Sequence, residues 1–336
     1  INQNSTLFHS ETKSDSSQRF YPILLHQSIV HYSKAEFSVK LNLKNKNKIS
    51  SFSHSINLSL GLLQSNYFKS QYWVDSIFIK DSNSSIIDTT INKYFKSEST
   101  TDKIIINRLS YSFYNNRIID PFKGSILFEN NKDFNKISLE LEYKISYTLP
   151  KKGITFRAFG GYLLNKDALD GSYGFNMSDR NFNFGTSDYA FDNLYFGRTE
   201  NYKSNDLLSR QIYTDQGGFK IYTPIANNQL WIASLNISAD FPIPLPLRFF
   251  ADIGTTEGLD ARLQDLYNEN TSFIYEAGIS FYLAKDVVEV YFPFIKSKSL
   301  EEYYKTNNLK FGDMIRFKFD IAKMNPLKLR NMLTER

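Results

Sequence analysis

Metal-binding and nucleophilic side chains are scarce in this sequence of 336 residues. It contains no cysteine, which excludes a thiolate zinc site, an iron–sulfur cluster and a thiol nucleophile. The 4 histidines are His9, His26, His31 and His54, and none belongs to the His-Glu-x-x-His pattern that holds zinc on a helix. The sequence therefore predicts no catalytic residue, no metal site and no cofactor within this segment.

The stretch 165–193 is acidic and contains Asp167, Asp170, Asp179, Asp188 and Asp192. Calcium takes about six to eight oxygen ligands, and the ligand spacing of an EF-hand is absent here. We therefore favour a solvated outer loop over a calcium site. The aromatic residues of the stretch suggest that it folds inward or docks on another surface; they are Tyr173, Phe175, Phe182, Phe184, Tyr189 and Phe191.

The remaining residues that could have a chemical role are charged side chains that recur at every second position. In 136–149 (KISLELEYKISYTL), apolar residues alternate strictly with Ser, Glu, Lys and Thr. Successive side chains of a strand point to opposite faces, so this pattern predicts a strand with one apolar and one polar face. The residues predicted to line an interior are Lys40, Glu140, Glu142, Lys144, Arg157, Asp240, Arg248, Asp252, Glu276, Arg316, Lys318 and Asp320. Those predicted to face lipid are Ile137, Leu139, Leu141, Tyr143, Ile145, Trp231, Leu235, Ile237, Phe281, Phe317 and Phe319.

The predicted interior residues carry both signs of charge in equal number. A selective pore has an excess of one sign at its constriction, whereas mixed charges can pair across neighbouring strands. This favours a lumen closed by ion pairs and an inserted loop. An open channel remains the alternative.

The same two-residue period recurs along the chain and defines the elements that carry these residues. It is clear in 37–43, 55–62, 229–241, 271–284 and 311–321, and no helical period spans ten residues. The longest apolar run, Phe241–Leu247, contains three prolines, so a spanning helix of about 20 apolar residues is excluded. Weaker candidate strands lie at 70–80, 104–114, 123–129, 154–163, 206–214, 217–224, 247–254 and 286–294.

A soluble β-sandwich and a transmembrane barrel both produce such alternation. Long strands favour the barrel, as do aromatic pairs near strand ends, such as Phe249–Phe250 and Tyr291–Phe292. Short connections also alternate with the long polar segments 165–205, 255–270 and 296–309. We therefore predict an all-β fold: a transmembrane antiparallel outer-membrane β-barrel of about 14 strands, with 12 or 16 as alternatives, counting 206–214 and 217–224 as a hairpin.

This architecture divides the chain into three parts. Residues 1–18, rich in Ser, Asn and Gln, read as a linker or N-terminal segment, residues 19–325 as the barrel, and residues 326–336 as a periplasmic tail. The absence of a leader before Ile1 indicates either a piece of a longer precursor or an ordinary frayed terminus. The expected partners are outer-membrane lipid and other outer-membrane or periplasmic proteins. A net charge of +5 gives little reason to expect nucleic acid.

Several stretches of the sequence resemble those of one known protein family. They are 217–221 (GGFKI), 235–254 (LNISADFPIPLPLRFFADIG), 290–300 (VYFPFIKSKSL) and 314–327 (MIRFKFDIAKMNPL), with 107–121 and 189–198 beside them. These runs resemble the C-terminal region of Bacteroidota outer-membrane proteins of the aminopeptidase N metallopeptidase kind. The resemblance covers roughly residues 100–330 and lies in strands and turns rather than in an active-site motif.

In that family a gluzincin domain with His-Glu-x-x-His and a distal Glu precedes the barrel, and none of those residues occurs here. The resemblance therefore implies a barrel that anchors an upstream metallopeptidase-like domain, or a partner complex, at the outer membrane. Any zinc and any peptidase activity would then belong to the upstream domain. The alternative is a transport, protein-assembly or secretion barrel that passes solute or protein.

Overall fold

The computed structural model describes most of the chain. The described residues are 8–12, 17–22, 26–43, 51–80, 86–115, 117, 119–147, 152–169, 173–179, 188–196, 207–242, 245–284 and 287–320. They belong to two compact units. Unit 1 comprises Ile1–Ala35 and Leu62–Ile104, and unit 2 comprises Glu36–Gly61 and Ile105–Arg336.

Unit 1 contains the first two strands, and the chain passes through both units in the next three. Strand β1 pairs with β2, and β2 pairs with β4, in both cases antiparallel. The bounds are Phe8–Thr12 for β1, Ser17–Pro22 for β2, His26–Leu43 for β3, Phe52–Lys80 for β4 and Ile86–Asn115 for β5.

Unit 2 holds the remaining strands, and each of them pairs antiparallel with the next. Strand β6 joins them to β5. The bounds are Phe122–Asn130 for β6, Asn135–Ser146 for β7, Gly153–Leu163 for β8, Trp231–Asp240 for β9, Leu247–Thr256 for β10, Ile274–Ala284 for β11, Val288–Lys296 for β12 and Arg316–Phe319 for β13.

Short helices lie in the long connections, where the two-residue period gives no signal for them. Helices α1 (Leu259–Tyr267) and α2 (Lys298–Thr306) have 9 residues each, too few for a pattern of ten. Helix α3 (Phe311–Met314) occupies the first part of the predicted strand 311–321, so only Arg316–Phe319 is extended there. None of the helices in the described part of the chain is long and apolar enough to cross a membrane.

The predicted hairpin of 206–214 and 217–224 is wrong. These residues form the 3₁₀ turns Leu207–Arg210 and Pro224–Ala226 with irregular backbone between them. Ile212, Phe219 and Ile221 are buried in the interior of unit 2 without belonging to its sheet, whereas Leu207 and Leu208 are exposed. The described residues contain 13 strands, close to the predicted count of about 14. Their order runs from β1 to β13, so the sheet is not closed within these residues.

The polarity of the two sheet faces identifies the fold class. On β7, the side chains of Ile137, Leu139, Leu141, Tyr143 and Ile145 are all 41–44% exposed. On the opposite face of β9 to β11, the ionisable residues Asp240, Asp252 and Glu276 are buried. A soluble sandwich buries its apolar face, whereas a transmembrane barrel turns that face to lipid. The prediction of an all-β, antiparallel transmembrane barrel is confirmed in its strands and in the polarity of its faces, although the described residues do not close the sheet.

Candidate functional site

The polar face of unit 2 is covered by the long connection between β8 and β9. We call residues 164–230 the inserted segment; its described parts are 164–169, 173–179, 188–196 and 207–230. Three of its side chains, Phe175, Met177 and Phe219, are buried in one hydrophobic cluster with strand residues such as Phe159 and Ile232. The predicted inward folding of the aromatic loop is confirmed for Phe175, while Phe182 and Phe184 lie outside the described residues.

Two strand glycines make room for this cluster. A Cβ atom on Gly161 would lie 2.5 Å from the ring of Phe175, and one on Gly254 would lie 2.5 Å from the sulfur of Met177. Both distances are far below van der Waals contact, so a larger residue would displace the inserted segment. The absence of a side chain at Gly161 and at Gly254 thus leaves two spaces, which we call sockets, for Phe175 and Met177.

A buried ion-pair cluster, which we call the carboxylate anchor, holds the second half of the inserted segment. Lys220 Nζ lies 2.7 and 2.8 Å from the two carboxylate oxygens of Asp252 on β10. Asn236 Nδ2 donates to the same carboxylate at 2.8 Å. The carboxylate of Glu276 accepts the backbone N–H groups of Lys220 and of Ile221, the latter at 3.1 Å. Strands β9 to β11 thus converge on one lysine and its backbone.

Arg157 extends this contact toward β7. Its guanidinium donates to the carbonyl oxygen of Gln216 at 2.8 Å and to Asn236 Oδ1 at 2.8 Å. It also donates to Glu140 Oε2 at 2.7 Å. The neighbouring Gly218 has a φ of 72°, and a Cβ atom there would lie 2.8 Å from Asn236 Oδ1. Glycine is therefore required both by the backbone conformation and by the close approach.

The first half of the inserted segment is held by an aromatic anchor around Lys136 of β7. Its ammonium group lies 4.3 Å from the ring centre of Phe175, 4.9 Å from that of Tyr189 and 5.8 Å from that of Phe134. The Tyr189 hydroxyl donates to Glu129 Oε2 at 2.7 Å. Ring faces attract the cation and replace part of its hydration.

Gln211 fastens the inserted segment to the last strand. The backbone N–H of Ile212 donates to the carbonyl oxygen of Phe317 at 2.8 Å, within a parallel bridge of Gln211 and Phe317. The Gln211 amide donates to Leu194 O at 2.8 Å and to Phe319 O at 3.2 Å. Part of the β13 edge is thereby covered.

Asp179 ties separate parts of the inserted segment together. Its Oδ2 accepts hydrogen bonds from the Tyr195 hydroxyl at 2.5 Å and from the backbone N–H of Tyr213 at 2.6 Å. Burial raises the pKa of Asp179 to about 6, against the opposing effect of these two donors. Asp188 instead accepts the backbone N–H groups of Asp192 and Asn193. In the described residues, no group of three or more His, Asp or Glu side chains is arranged to hold a metal ion.

The predicted interior residues fall into three groups by burial. Asp240, Arg248, Asp252, Glu276, Lys318 and Asp320 are buried, Glu140, Glu142, Lys144, Arg157 and Arg316 are half-buried, and Lys40 is exposed. Residues 35–43 of β3 are exposed on both faces, so burial does not distinguish the side on which Lys40 lies. Arg248 pairs with Asp240 and with Glu289, at 3.0 Å each.

The predicted lipid-facing residues lie on the face opposite to the inserted segment except for Phe319, whose ring centre is 5.0 Å from that of Phe196 in this segment. Ile137, Leu139, Leu141, Tyr143, Ile145 and Leu235 are exposed, whereas Trp231, Ile237, Phe281, Phe317 and Phe319 are half-buried. Two aromatic residues read as part of an interfacial girdle are instead interior: Phe250 and Tyr291 are buried together with Ile212. The two-residue period places both on the polar face, since Phe250 alternates in phase with Arg248 on β10 and Tyr291 with Glu289 on β12. Their aromatic type outweighed this signal.

Sequence reasoning missed Lys220, Asn236 and Glu289 as members of the charged interior. Lys220 was read as part of a strand, and Asn236 carries no charge. Glu289 lies in one of the weaker candidate strands, where its alternation with Val288 and Val290 was the available signal.

Comparisons with known proteins give a distant structural likeness and no sequence match. No protein-family model and no curated protein matches the chain. Among solved structures, BamA from Haemophilus ducreyi lacking POTRA domains 1-3 has a TM-score of 0.33 at 11% identity and is similar over 87% of this chain and 66% of that chain. CdiB from Acinetobacter baumannii has a TM-score of 0.28 at 12% identity, over 84% of this chain and 53% of that chain. The chain thus spans just under two thirds of the first and about half of the second.

Proposed function

We propose that this chain is an outer-membrane β-barrel that anchors an upstream domain or a partner complex, with its interior closed by the inserted segment. The carboxylate anchor is the observation that carries this proposal. A segment that shuttles in and out of a pore must give up its contacts at low cost, whereas removing one partner from a buried ion pair costs about 3–5 kcal/mol. Lys220, bonded to Asp252 and flanked by Glu276, suits a permanent closure.

The membrane placement rests on the direction of adjacent side chains on β7. Leu141 is exposed on the apolar face, while Glu142 is half-buried and pairs with Lys123 at 2.9 Å. Leu141→Arg should cost about 2–4 kcal/mol if that face meets hydrocarbon near the bilayer midplane. Glu142→Arg should cost less, since it stays on the polar face. Folding into lipid vesicles, followed by heat-modifiable gel migration, measures both; equal losses would contradict the placement.

Anchoring itself is tested by membrane fractionation of the natural gene product. The barrel should band with the outer membrane on a density gradient, and any upstream domain or partner should follow it there. Carbonate washing should not release a covalently linked domain. An upstream domain found in the soluble periplasmic fraction, with the barrel retained in the membrane, would contradict the proposal.

The resemblance over roughly residues 100–330 supports the further proposal that the anchored domain is metallopeptidase-like. Zinc enzymes of that kind commonly use two His and a carboxylate as ligands with a further Glu as the base. The four histidines of this chain offer no such set. Purified residues 1–336 should hold no stoichiometric zinc, whereas the longer natural product should. One tightly held zinc per chain in residues 1–336 would contradict the assignment.

A transport or assembly barrel is the second candidate. A cavity of about 450 Å³ with a charged lining lies between the inserted segment and the strands, and the described sheet has two unjoined ends. Both features suit a barrel that opens. Rapid swelling of proteoliposomes in small sugars would favour this candidate over the anchor.

A further inference from the structure

The inserted segment fills only one half of the interior of unit 2. Its sockets, Gly161 and Gly254, lie near the ends of β8 and β10 that join the long connections. The cavity begins at the carboxylate anchor, where Lys220 and Asn236 line it, and extends to residues next to the short connections, such as Lys144 near the end of β7 and Glu289 near the start of β12. The anchored half is therefore closed, and the half beside the short connections is a chamber.

The chamber is charged but nearly neutral. Six basic and five acidic side chains line it among the described residues. Several are paired across strands, including Arg157 with Glu140 at 2.7 Å and Arg248 with Glu289 at 3.0 Å. A ligand with several charges of one sign would bring charge that this lining does not compensate in a partly desolvated site, which is unfavourable. A ligand with one positive and one negative end would preserve the balance.

Ser280 adds a group that is ready for a ligand. Its side chain lines the chamber and is 0% exposed, and its Oγ has no hydrogen-bond partner among the described residues. In the sheet it lies directly between Arg248 of β10 and Tyr291 of β12. A buried hydroxyl without a partner is costly, and a hydroxyl can both donate and accept. A polar ligand atom would therefore gain the most binding free energy in the chamber by bonding to the Ser280 hydroxyl.

We propose that the chamber binds a small zwitterion of amino-acid or dipeptide size. The volume of about 450 Å³ lies within the range of small-molecule sites, about 300–1,000 Å³. The Arg248–Glu289 pair would stay intact. The ligand's carboxylate would approach it from the Arg248 side and its ammonium group from the Glu289 side, with the Ser280 hydroxyl bonded to the ligand. This site is independent of whatever the barrel anchors.

Calorimetric titration of diglycine into the full chain in lipid nanodiscs tests the proposal. Saturable binding is expected, and Ser280→Ala should weaken it about threefold to tenfold, the equivalent of one neutral hydrogen bond. Ser234→Ala is the matched control. Ser234 Oγ is also buried without a hydrogen-bond partner in the described part of the chain, but it does not line the chamber. The control should bind diglycine as the unmodified chain does, and heat-modifiable migration should show both variants folded.

Inorganic phosphate, putrescine and glucose serve as anionic, cationic and uncharged probes. Each should bind at least tenfold more weakly than diglycine. The proposal is overturned by an absence of saturable diglycine binding, by equal binding of any of these three probes, or by equal effects of Ser280→Ala and Ser234→Ala. None of these results bears on anchoring, because fractionation measures anchoring separately.

Discussion

Two buried lysines hold the inserted segment, and their surroundings differ. Lys220 is 8% exposed and lies against the carboxylate of Asp252, whereas Lys136 is 2% exposed and lies among three aromatic rings. A buried ion pair depends on both partners, because loss of one leaves an uncompensated charge. An aromatic cage is distributed over several rings, each contributing a small attraction. The comparison predicts that a single substitution disrupts the carboxylate anchor, whereas each substitution in the aromatic anchor weakens it only in part.

Removing the counter-charge of Lys220 should give the largest effect. Asp252→Ala should cost about 3–5 kcal/mol of unfolding free energy and release the second half of the inserted segment. Urea titration in lipid vesicles measures the loss. Asp265→Ala, at an exposed position on α1, should change it by less than about 0.5 kcal/mol. The pair replacement Lys220→Met with Asp252→Leu should recover part of the loss, because Glu276 keeps its hydrogen bonds to the backbone N–H groups of residues 220 and 221 but loses the nearby cation. A double variant as unstable as Asp252→Ala would show that the unpaired charge of Lys220 is not the cause.

Asp179 should make the fastening of the inserted segment depend on pH. Its folded pKa of about 6 lies above the ordinary carboxyl value near 4, so the folded state binds the proton more tightly. Stability from this group is therefore present at low pH and is lost as the pH rises from about 4 to 6, by up to about 3 kcal/mol. The hydrogen-exchange protection of residues 173–179, measured relative to the exchange of an unfolded chain at the same pH, should fall over that range and level off above it. Asp179→Asn should remove the dependence; an unchanged profile in that variant would assign it to another group.

Filling the socket at Gly161 should test how much the packing of Phe175 contributes to the aromatic anchor. Gly161→Ala would press a methyl group into the Phe175 ring, with an expected cost of about 1–3 kcal/mol. Gly160→Ala is the matched control, since a Cβ atom there has nothing within 4 Å. Thermal unfolding of the two variants gives the difference. If both behaved alike, Phe175 would not occupy the socket.

The smallest effect should come from neutralising the caged lysine. Lys136→Met keeps a similar length among Phe175, Tyr189 and Phe134 but removes the cation, with an expected cost of about 0.5–2 kcal/mol. The same stability assay applies. A loss as large as that of Asp252→Ala would erase the distinction between the two anchors.

The sequence predicts the sheet faces well because a two-residue period follows directly from strand geometry. Residues 136–149 show this, since every second side chain from Ile137 to Ile145 is exposed. The same rule failed at 206–224, where Phe219 and Ile221 alternate with polar residues but pack inside unit 2. Local alternation records only that one side is apolar. It does not record whether the backbone bonds to a neighbouring strand.

The anchors could not be located from sequence because their members are far apart along the chain. Asp252 and Glu276 were correctly placed on polar faces, but their partner Lys220 lies 32 residues before Asp252. Which charges meet is decided by the path of the inserted segment between β8 and β9. That path depends on packing of Phe175 and Met177 into sockets that are visible in the sequence only as glycines.

Single-channel recording in planar bilayers tests the central claim, a barrel closed by its own inserted segment, most directly. The unmodified chain should show no large, stable open conductance, because the carboxylate and aromatic anchors hold the segment in place. Asp252→Ala should produce openings that Asp265→Ala does not. A large and steady conductance in the unmodified chain, unaltered by Asp252→Ala, would contradict the closure and favour a transport or assembly barrel.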